Sequence, residues 1–296
     1  MSTYLHLKKA EKNKFDFFGI ENPDYELNEL MGFAMGIDCR DITFLDMLSC
    51  EADEKIADRF HELCSRRVNG EPLQYILGQW EFYGIPIKVG EGVLIPRQDT
   101  ETIVETAEGK LSELRNLTVI DLCSGSGCIA LALEKTLDCK EIYCVEKYEQ
   151  AYEYLEKNID INKSKAQAVL ADVLDEKTAD KLPYADLIVC NPPYITDSEM
   201  KTLQKEVTFE PFTALCGGED GLEYYRTISR IWKKKLKENG MLLFEIGKDM
   251  EDEVMQILIQ LGYGNVRTRP DLSRINRCVF GFNNTRVKKC TDVMRV

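Results

Sequence analysis

Histidine is almost missing from this chain: His6 and His61 are the only two, and neither stands near a motif. Histidine general-base chemistry and histidine-built metal sites have little to draw on, and no metal is expected. Positive charge is short as well, with 38 Lys and Arg against 51 Asp and Glu, for a formal net charge of −13. That balance speaks against a protein whose main task is gripping a phosphate backbone, so no direct nucleic-acid partner is expected. The one basic cluster, Arg286-Val287-Lys288-Lys289, reads as a solvated tail. No apolar run approaches membrane-spanning length and none follows Met1-Ser2-Thr3 as a signal peptide would, which predicts a cytoplasmic protein with no membrane partner. Disulfide staples are not expected either. The 11 cysteines include no CxxC pair, and Cys144 and Cys190 fall inside apolar runs, as reduced buried side chains would.

What is present is the composition of a folded chain, 44% hydrophobic and 30% charged over 296 residues, a length that suits one large domain plus a small one. From about residue 20 to 75 the apolar spacing is helical: Leu27, Leu30, Met31, Ala34 and Met35 share a face, as do Ile56, Phe60, Leu63 and Cys64. Ser49 to Asp53 supply breakers and an N-cap, whereas Met1 to Phe18 suggest a frayed helix. At Gln79-Trp80-Glu81-Phe82-Tyr83-Gly84-Ile85-Pro86-Ile87 the texture turns to alternating aromatic and β-branched residues around a turn, a β-hairpin linker. Pro96 stops the next strand, and Asp99 is placed to cap the helix carrying Ile103 and Val104. Short apolar runs then alternate with helices: Leu117 to Cys123, Ile142 to Val145, Ala168 to Leu170, Leu187 to Cys190, Met241 to Ile246, and a closing strand at Cys278 to Phe282. The pattern predicts an α/β, doubly wound, mostly parallel sheet. The expected divisions are a helical N-terminal domain over 1–75, the hairpin over 76–95, the α/β domain over 96–283 and a flexible tail over 284–296.

Val119-Ile120-Asp121-Leu122-Cys123-Ser124-Gly125-Ser126-Gly127 reads as a strand running into a glycine turn at a helix start, where bare backbone meets a ligand. The loop alone also fits the dinucleotide fingerprint, with Glu146 at the right distance to hold a ribose. Asp121 favours a cationic sulfonium ligand over a pyrophosphate, and hence S-adenosyl-L-methionine over NAD. Asp172, after Ala168-Val169-Leu170, lies at the same edge; it serves there either as an acceptor for an adenine amino group or as a helix cap.

The run Ala185 to Cys190 delivers Asn191-Pro192-Pro193-Tyr194 to that edge. Two prolines remove two backbone donors and stiffen the loop, so the Asn191 side-chain oxygen and the Pro192 carbonyl form a fixed pair of acceptors for an NH2 group. An amide nitrogen is a poor nucleophile, because its lone pair is delocalised; two such hydrogen bonds orient that pair toward a methyl donor. The aid is positioning, and no general base is obligatory. Tyr194 would pack a ring on the flat acceptor and keep water out. Asn-Pro and Pro-Pro also end ordinary strands, and the motif gains its meaning from following the glycine loop.

Over about Asp24 to Phe282 the chain closely resembles the HemK/PrmC family, the glutamine N5-methyltransferases of class-1 peptide chain release factors. The likeness rests on Glu71-Pro72-Leu73-Gln74-Tyr75-Ile76-Leu77-Gly78, Val93-Leu94-Ile95-Pro96-Arg97, the glycine loop, Asn191-Pro192-Pro193-Tyr194-Ile195, Glu210-Pro211, Gly217-Gly218-Glu219-Asp220-Gly221-Leu222 and Leu243-Phe244-Glu245-Ile246-Gly247. The resemblance implies a Rossmann-like class I methyltransferase domain, with a seven-strand sheet, behind a helical substrate-docking domain and a hairpin linker. It implies S-adenosyl-L-methionine as cofactor, residues 123–127 near its methionine part, Glu146 on the ribose, and Asp172 and Val173 near the adenine. Asn191, Pro192, Pro193 and Tyr194 would hold the glutamine of a Gly-Gly-Gln loop, with a release factor as partner and a monomer as the working form. Cys123 departs from the glycine of many methyltransferases, and Glu146 from the more usual aspartate. The competing readings are an adenine N6-methyltransferase of DNA or RNA, which the acidic charge opposes, a dehydrogenase, and a nucleotide-sensing module; the last two leave the Asn191 motif without a use.

Overall fold

The computed structural model describes residues 2–284, so the basic cluster at 286–289 lies outside the described residues. The chain forms two compact units.

The first unit holds residues 2–79 with the short segment 204–209. Its helices are α1 (Tyr4–Phe17), α2 (Pro23–Met35), α3 (Ile42–Leu48), α4 (Glu54–Val68) and α5 (Leu73–Leu77). Asp53 caps α4 by accepting from the Lys55 and Ile56 amides, and Gly36 ends α2 with φ at 72°. Phe15, Leu27, Leu30, Met31, Phe44, Phe60 and Cys64 form a closed apolar core, all at 0% exposure. The expectation of a frayed N-terminal helix is therefore corrected. Helix α1 buries Tyr4, Glu11 and Phe15 on one stripe, and the Tyr4 hydroxyl accepts from the Asp53 amide (3.0 Å). Lys8, Lys9, Lys12, Lys14 and Asp16 are interleaved with that stripe and hide its three residues from hydropathy. The Arg67 guanidinium, itself buried, donates to Glu26 and to Glu206 (2.9 Å), which ties the 204–209 segment into this unit.

The second unit comprises residues 80–203 and 210–284. It starts at the hairpin of β1 (Gln79–Phe82) and β2 (Ile85–Lys88), followed by α6 (Glu101–Leu111). Then come β3 (Leu117–Leu122), α7 (Cys128–Thr136), β4 (Cys139–Glu146), α8 (Glu149–Ile161), β5 (Gln167–Leu170), α9 (Glu176–Lys181) and β6 (Ala185–Cys190). A two-residue β7 (Ile195–Thr196), α10 (Phe212–Leu215) and β8 (Cys216–Gly218) precede α11 (Glu223–Trp232), β9 (Leu236–Glu245), α12 (Glu251–Gln260), β10 (Gly264–Pro270) and β11 (Asn276–Phe282). The sheet has seven strands in the order β10-β11-β9-β6-β3-β4-β5; only β11 runs antiparallel to its neighbours. Helices on both faces bury it, and every residue of β3 is buried, as an apolar run in a central parallel strand requires. Leu122 pairs with Cys190 and Cys190 with Phe244, so β3, β6 and β9 end level with one another. Asp99 does not cap α6. The side chain forms an ion pair with Arg277 (2.8 Å) instead, and a single 3-10 turn over Gln98–Thr100 leads into the helix.

Candidate active site

At the carboxyl edge of this sheet a pocket opens, lined by the ends of its parallel strands. Residues Cys123 to Ser126 from the loop after β3, Glu146 to Tyr148 after β4, Asp172 and Val173 after β5, and Asn191 and Pro193 after β6 line it. Leu94, Pro96, Arg97, Thr100, Pro211, Ala214 and Tyr224 form the facing wall. Parallel strands deliver these groups to one edge because each crossover helix returns the chain to the same end of the sheet.

The loop after β3 is shaped by backbone bonds. The Ser124 amide donates to the Val145 carbonyl (3.1 Å), the Ser124 hydroxyl to the Asp121 carbonyl (2.8 Å), and the Gly127 amide to the Ser124 carbonyl (2.8 Å). Cys123 holds φ at 56°, a conformation that glycine adopts without strain, which is the physical sense of the glycine found there in many methyltransferases. At Gly125 a Cβ would meet nothing within 4 Å, so its bare backbone faces open space on the pocket wall. Asn158, fully buried, donates to the Ser126 carbonyl (2.9 Å) and exchanges bonds with the Lys88 main chain, strapping the hairpin to this loop.

Glu146 is the best-held acid. Its carboxylate accepts from the amides of Gly125 (2.9 Å), Lys147 (2.7 Å) and Tyr148 (2.9 Å). A carboxylate offers about four acceptor positions, which leaves one for a ligand donor such as a ribose hydroxyl. Asp172 spends one oxygen on the Leu174 amide (2.9 Å) and the other on the Lys147 ammonium (2.9 Å). Asp121 lies behind the loop at 0% exposure and does not reach the wall; neither carboxylate oxygen has a hydrogen-bond partner among the described residues. Burial pushes its carboxyl up to about 8, and the charge of Glu146 adds to that rise.

Of the tetrapeptide after β6, Asn191 and Pro193 line the pocket, whereas Pro192 is buried and Tyr194 packs under the loop. The packing is very close: a Cβ on Gly217 would lie 2.7 Å from the Pro193 carbonyl oxygen, and one on Gly221 2.3 Å from that of Tyr194. Strand β7 pairs with β8 just beyond, so the glycine-rich segment clamps the motif from the far side. Glu210, buried, accepts from the Ile95 amide (3.0 Å) and pairs with Arg97, which fixes the facing wall. Sequence reasoning gave Glu210, Arg97, Thr100, Lys147, Tyr148 and Tyr224 no role in the site. Glu210 and Ile95 are 115 positions apart, a separation without a local signal.

Three comparisons bear on this arrangement. Residues 11–78 match the family model described as the PrmC N-terminal domain, and residues 100–210 the methyltransferase small domain. The release factor glutamine methyltransferase of Thermodesulfovibrio yellowstonii is 38% identical over 230 residues, 77% of this chain and 82% of the relative. The protein of the same description from Geobacter sulfurreducens is 36% identical over 264 residues, 89% of this chain and 90% of the relative. Among solved structures, the hMettl16 catalytic domain in complex with a MAT2A 3'UTR hairpin aligns at a TM-score of 0.55 with 18% identity over 90% of both chains. A methyltransferase from Pyrococcus furiosus aligns at 0.51 with 17% identity over 69% of this chain and 91% of that one. At such identities these two likenesses show the fold alone.

Proposed function

The chain belongs to the release factor glutamine methyltransferase family, and on that footing we propose that it methylates the side-chain nitrogen of the glutamine in the Gly-Gly-Gln motif of class-1 release factors. The observation that carries the reading is Asn191 on the pocket wall, at the end of the strand beside the glycine loop, with two prolines behind it. S-adenosyl-L-methionine would supply the electrophilic methyl group. The residues present fit it: the bare face of Gly125, the loop Cys123 to Ser126, the spare acceptor position on Glu146 for a ribose, and Asp172 with Val173 for an adenine; Gly127 turns instead toward Leu155. Asp121 makes no direct contact with the pocket, and with its carboxyl pushed up to about 8 by burial it stays mostly protonated near neutrality, so the sulfonium charge is not met there.

Asn191 Oδ1 and the Pro192 carbonyl accept both N–H groups of the substrate amide and turn its lone pair toward the methyl donor. Pro193 holds the loop stiff, and Tyr194 supports it from below. Positioning of this kind supplies most of the rate, and the proton leaves to water after transfer. The helical unit docks the release factor, and the enzyme works as a cytoplasmic monomer without nucleic acid. Among the described residues, no helix is long and apolar enough to cross a membrane.

Purified protein with methyl-labelled cofactor tests the reading against a release factor and a DNA duplex. Label on the release factor alone is the expected result. Label on DNA, or none on the release factor, would overturn it.

A further inference from the structure

Glu245 ends β9 one residue beyond Phe244, and Phe244 is paired with Cys190 in parallel register; Glu245 and Asn191 thus leave neighbouring strands at one level. The Glu245 residue is 4% exposed, and its Oε2 meets no hydrogen-bond partner among the described residues. Thr100 Oγ1, on the pocket wall, is buried and unpartnered too. The strand end itself is fixed, because the Tyr225 hydroxyl donates to the Glu245 carbonyl (2.9 Å). Two buried polar atoms without partners beside the acceptor of the reaction are costly unless something completes them. Hydrogen bonds of a catalytic set are often loose before substrate arrives and close in its complex.

An asparagine amide has two ends of nearly the same shape, and only Oδ1 accepts. Turned the other way, Asn191 would aim two donors at the substrate NH2 group and repel it. We infer that Glu245 is a positioning residue: its carboxylate takes an Nδ2–H of Asn191 and so keeps Oδ1 turned toward the nitrogen that is methylated. The Thr100 hydroxyl donates to the same carboxylate. The inference rests on the methyl transfer proposed above.

Ionised Glu245 only accepts. Protonated, it also donates, and its natural target is the Asn191 oxygen that the substrate needs. Burial, with a smaller push from the charge of Asp99, outweighs the pull of the Thr100 hydroxyl, the Arg277 charge and the Asn191 amide and sets this carboxyl up at about 7. Asp99 and Arg277 are themselves an ion pair (2.8 Å), and Tyr194, Cys128 and Cys278 nearby are kept neutral by burial.

The test measures kcat, KM for release factor and cofactor affinity for the native protein and Glu245→Gln, from about pH 6 to about pH 9. The native rate should rise through an acidic limb near neutrality at constant KM. Glu245→Gln, whose amide can also donate to Asn191, should lose roughly 10- to 100-fold in kcat and flatten that limb, with KM and cofactor affinity retained. Native kcat and a native pH profile in the variant would overturn the inference. Should the variant not fold, the native profile decides, since a flat one contradicts the role. A native protein that labels no release factor at any pH overturns the reaction and this role together; native activity with a flat profile overturns the role alone.

Discussion

Single residues around the pocket differ in what they accept and in how much of that capacity is already spent. Glu146 has committed most of its acceptor positions to backbone amides and so doubles as a brace for the loop. Asn191, at the end of β6, lines the pocket. Asn191→Ala should lower kcat by about 100- to 1,000-fold, as removal of one transition-state hydrogen-bonding group does, with cofactor affinity measured by calorimetry largely retained. Turnover near the native value would show that the acceptor pair is misassigned. Asp121 makes a separate prediction about stability. Its carboxyl stands at about 8 in the fold against an ordinary 3.8, so between these values the folded chain keeps a proton that the unfolded chain releases. Its contribution to stability is full below about pH 4 and is lost as pH rises toward about 8. Melting temperatures of the ligand-free protein between about pH 5 and about pH 8 should therefore depend less on pH in Asp121→Asn than in the native protein. Glu245, raised to about 7, acts with the same sign, so the slope is reduced rather than removed. An unchanged slope would place Asp121 outside that linkage.

At the scale of elements, the site is a set of loop ends held by contacts far apart in sequence. The segment Gly217 to Gly221 is the clearest case, because at Gly217 and Gly221 the close approach to Pro193 and Tyr194 leaves no room for a Cβ. At Gly221, whose φ is 70°, an alanine Cβ would overlap the Tyr194 carbonyl oxygen at 2.3 Å. Gly221→Ala should cost about 1–3 kcal/mol in denaturant unfolding and reduce kcat in the fraction that remains folded, by shifting the Asn191 loop. Native stability and native kcat would contradict the clamp. The elements legible in the sequence were those whose burial follows a simple period. Leu117 to Cys123 and Leu187 to Cys190 are apolar runs in central strands, and the two helical stripes of the N-terminal unit have regular spacing. Strand β10 was not legible, since of Gly264 to Pro270 only Val266 is buried at the sheet edge. Helix α1 was underrated for a related reason: three buried residues anchor it among charges. The cap expected from Asp99 failed because Arg277, distant in sequence, takes its carboxylate. In the site, the glycine loop and Asn191 declared themselves by local chemistry. Glu210, Thr100 and Glu245 did not, since their meaning lies in partners on other elements.

Taken as a whole molecule, the chain carries a formal net charge of −13, and its pocket gathers Glu146, Asp172 and Asn191 at one sheet edge. An acidic protein with a small-ligand pocket and a compact helical unit suits a protein substrate better than a phosphate backbone. The fold alone is shared with methyltransferases of other descriptions, so it does not choose the acceptor. The family does, and Asn191 on the pocket wall fits that assignment. The most direct measurement is peptide mass mapping of a release factor after incubation with this protein and S-adenosyl-L-methionine. One added methyl group on the side chain of the Gly-Gly-Gln glutamine, absent when Asn191→Ala replaces the native enzyme, is the expected result; a methyl group on any other residue, or an unmodified glutamine, would contradict the assignment.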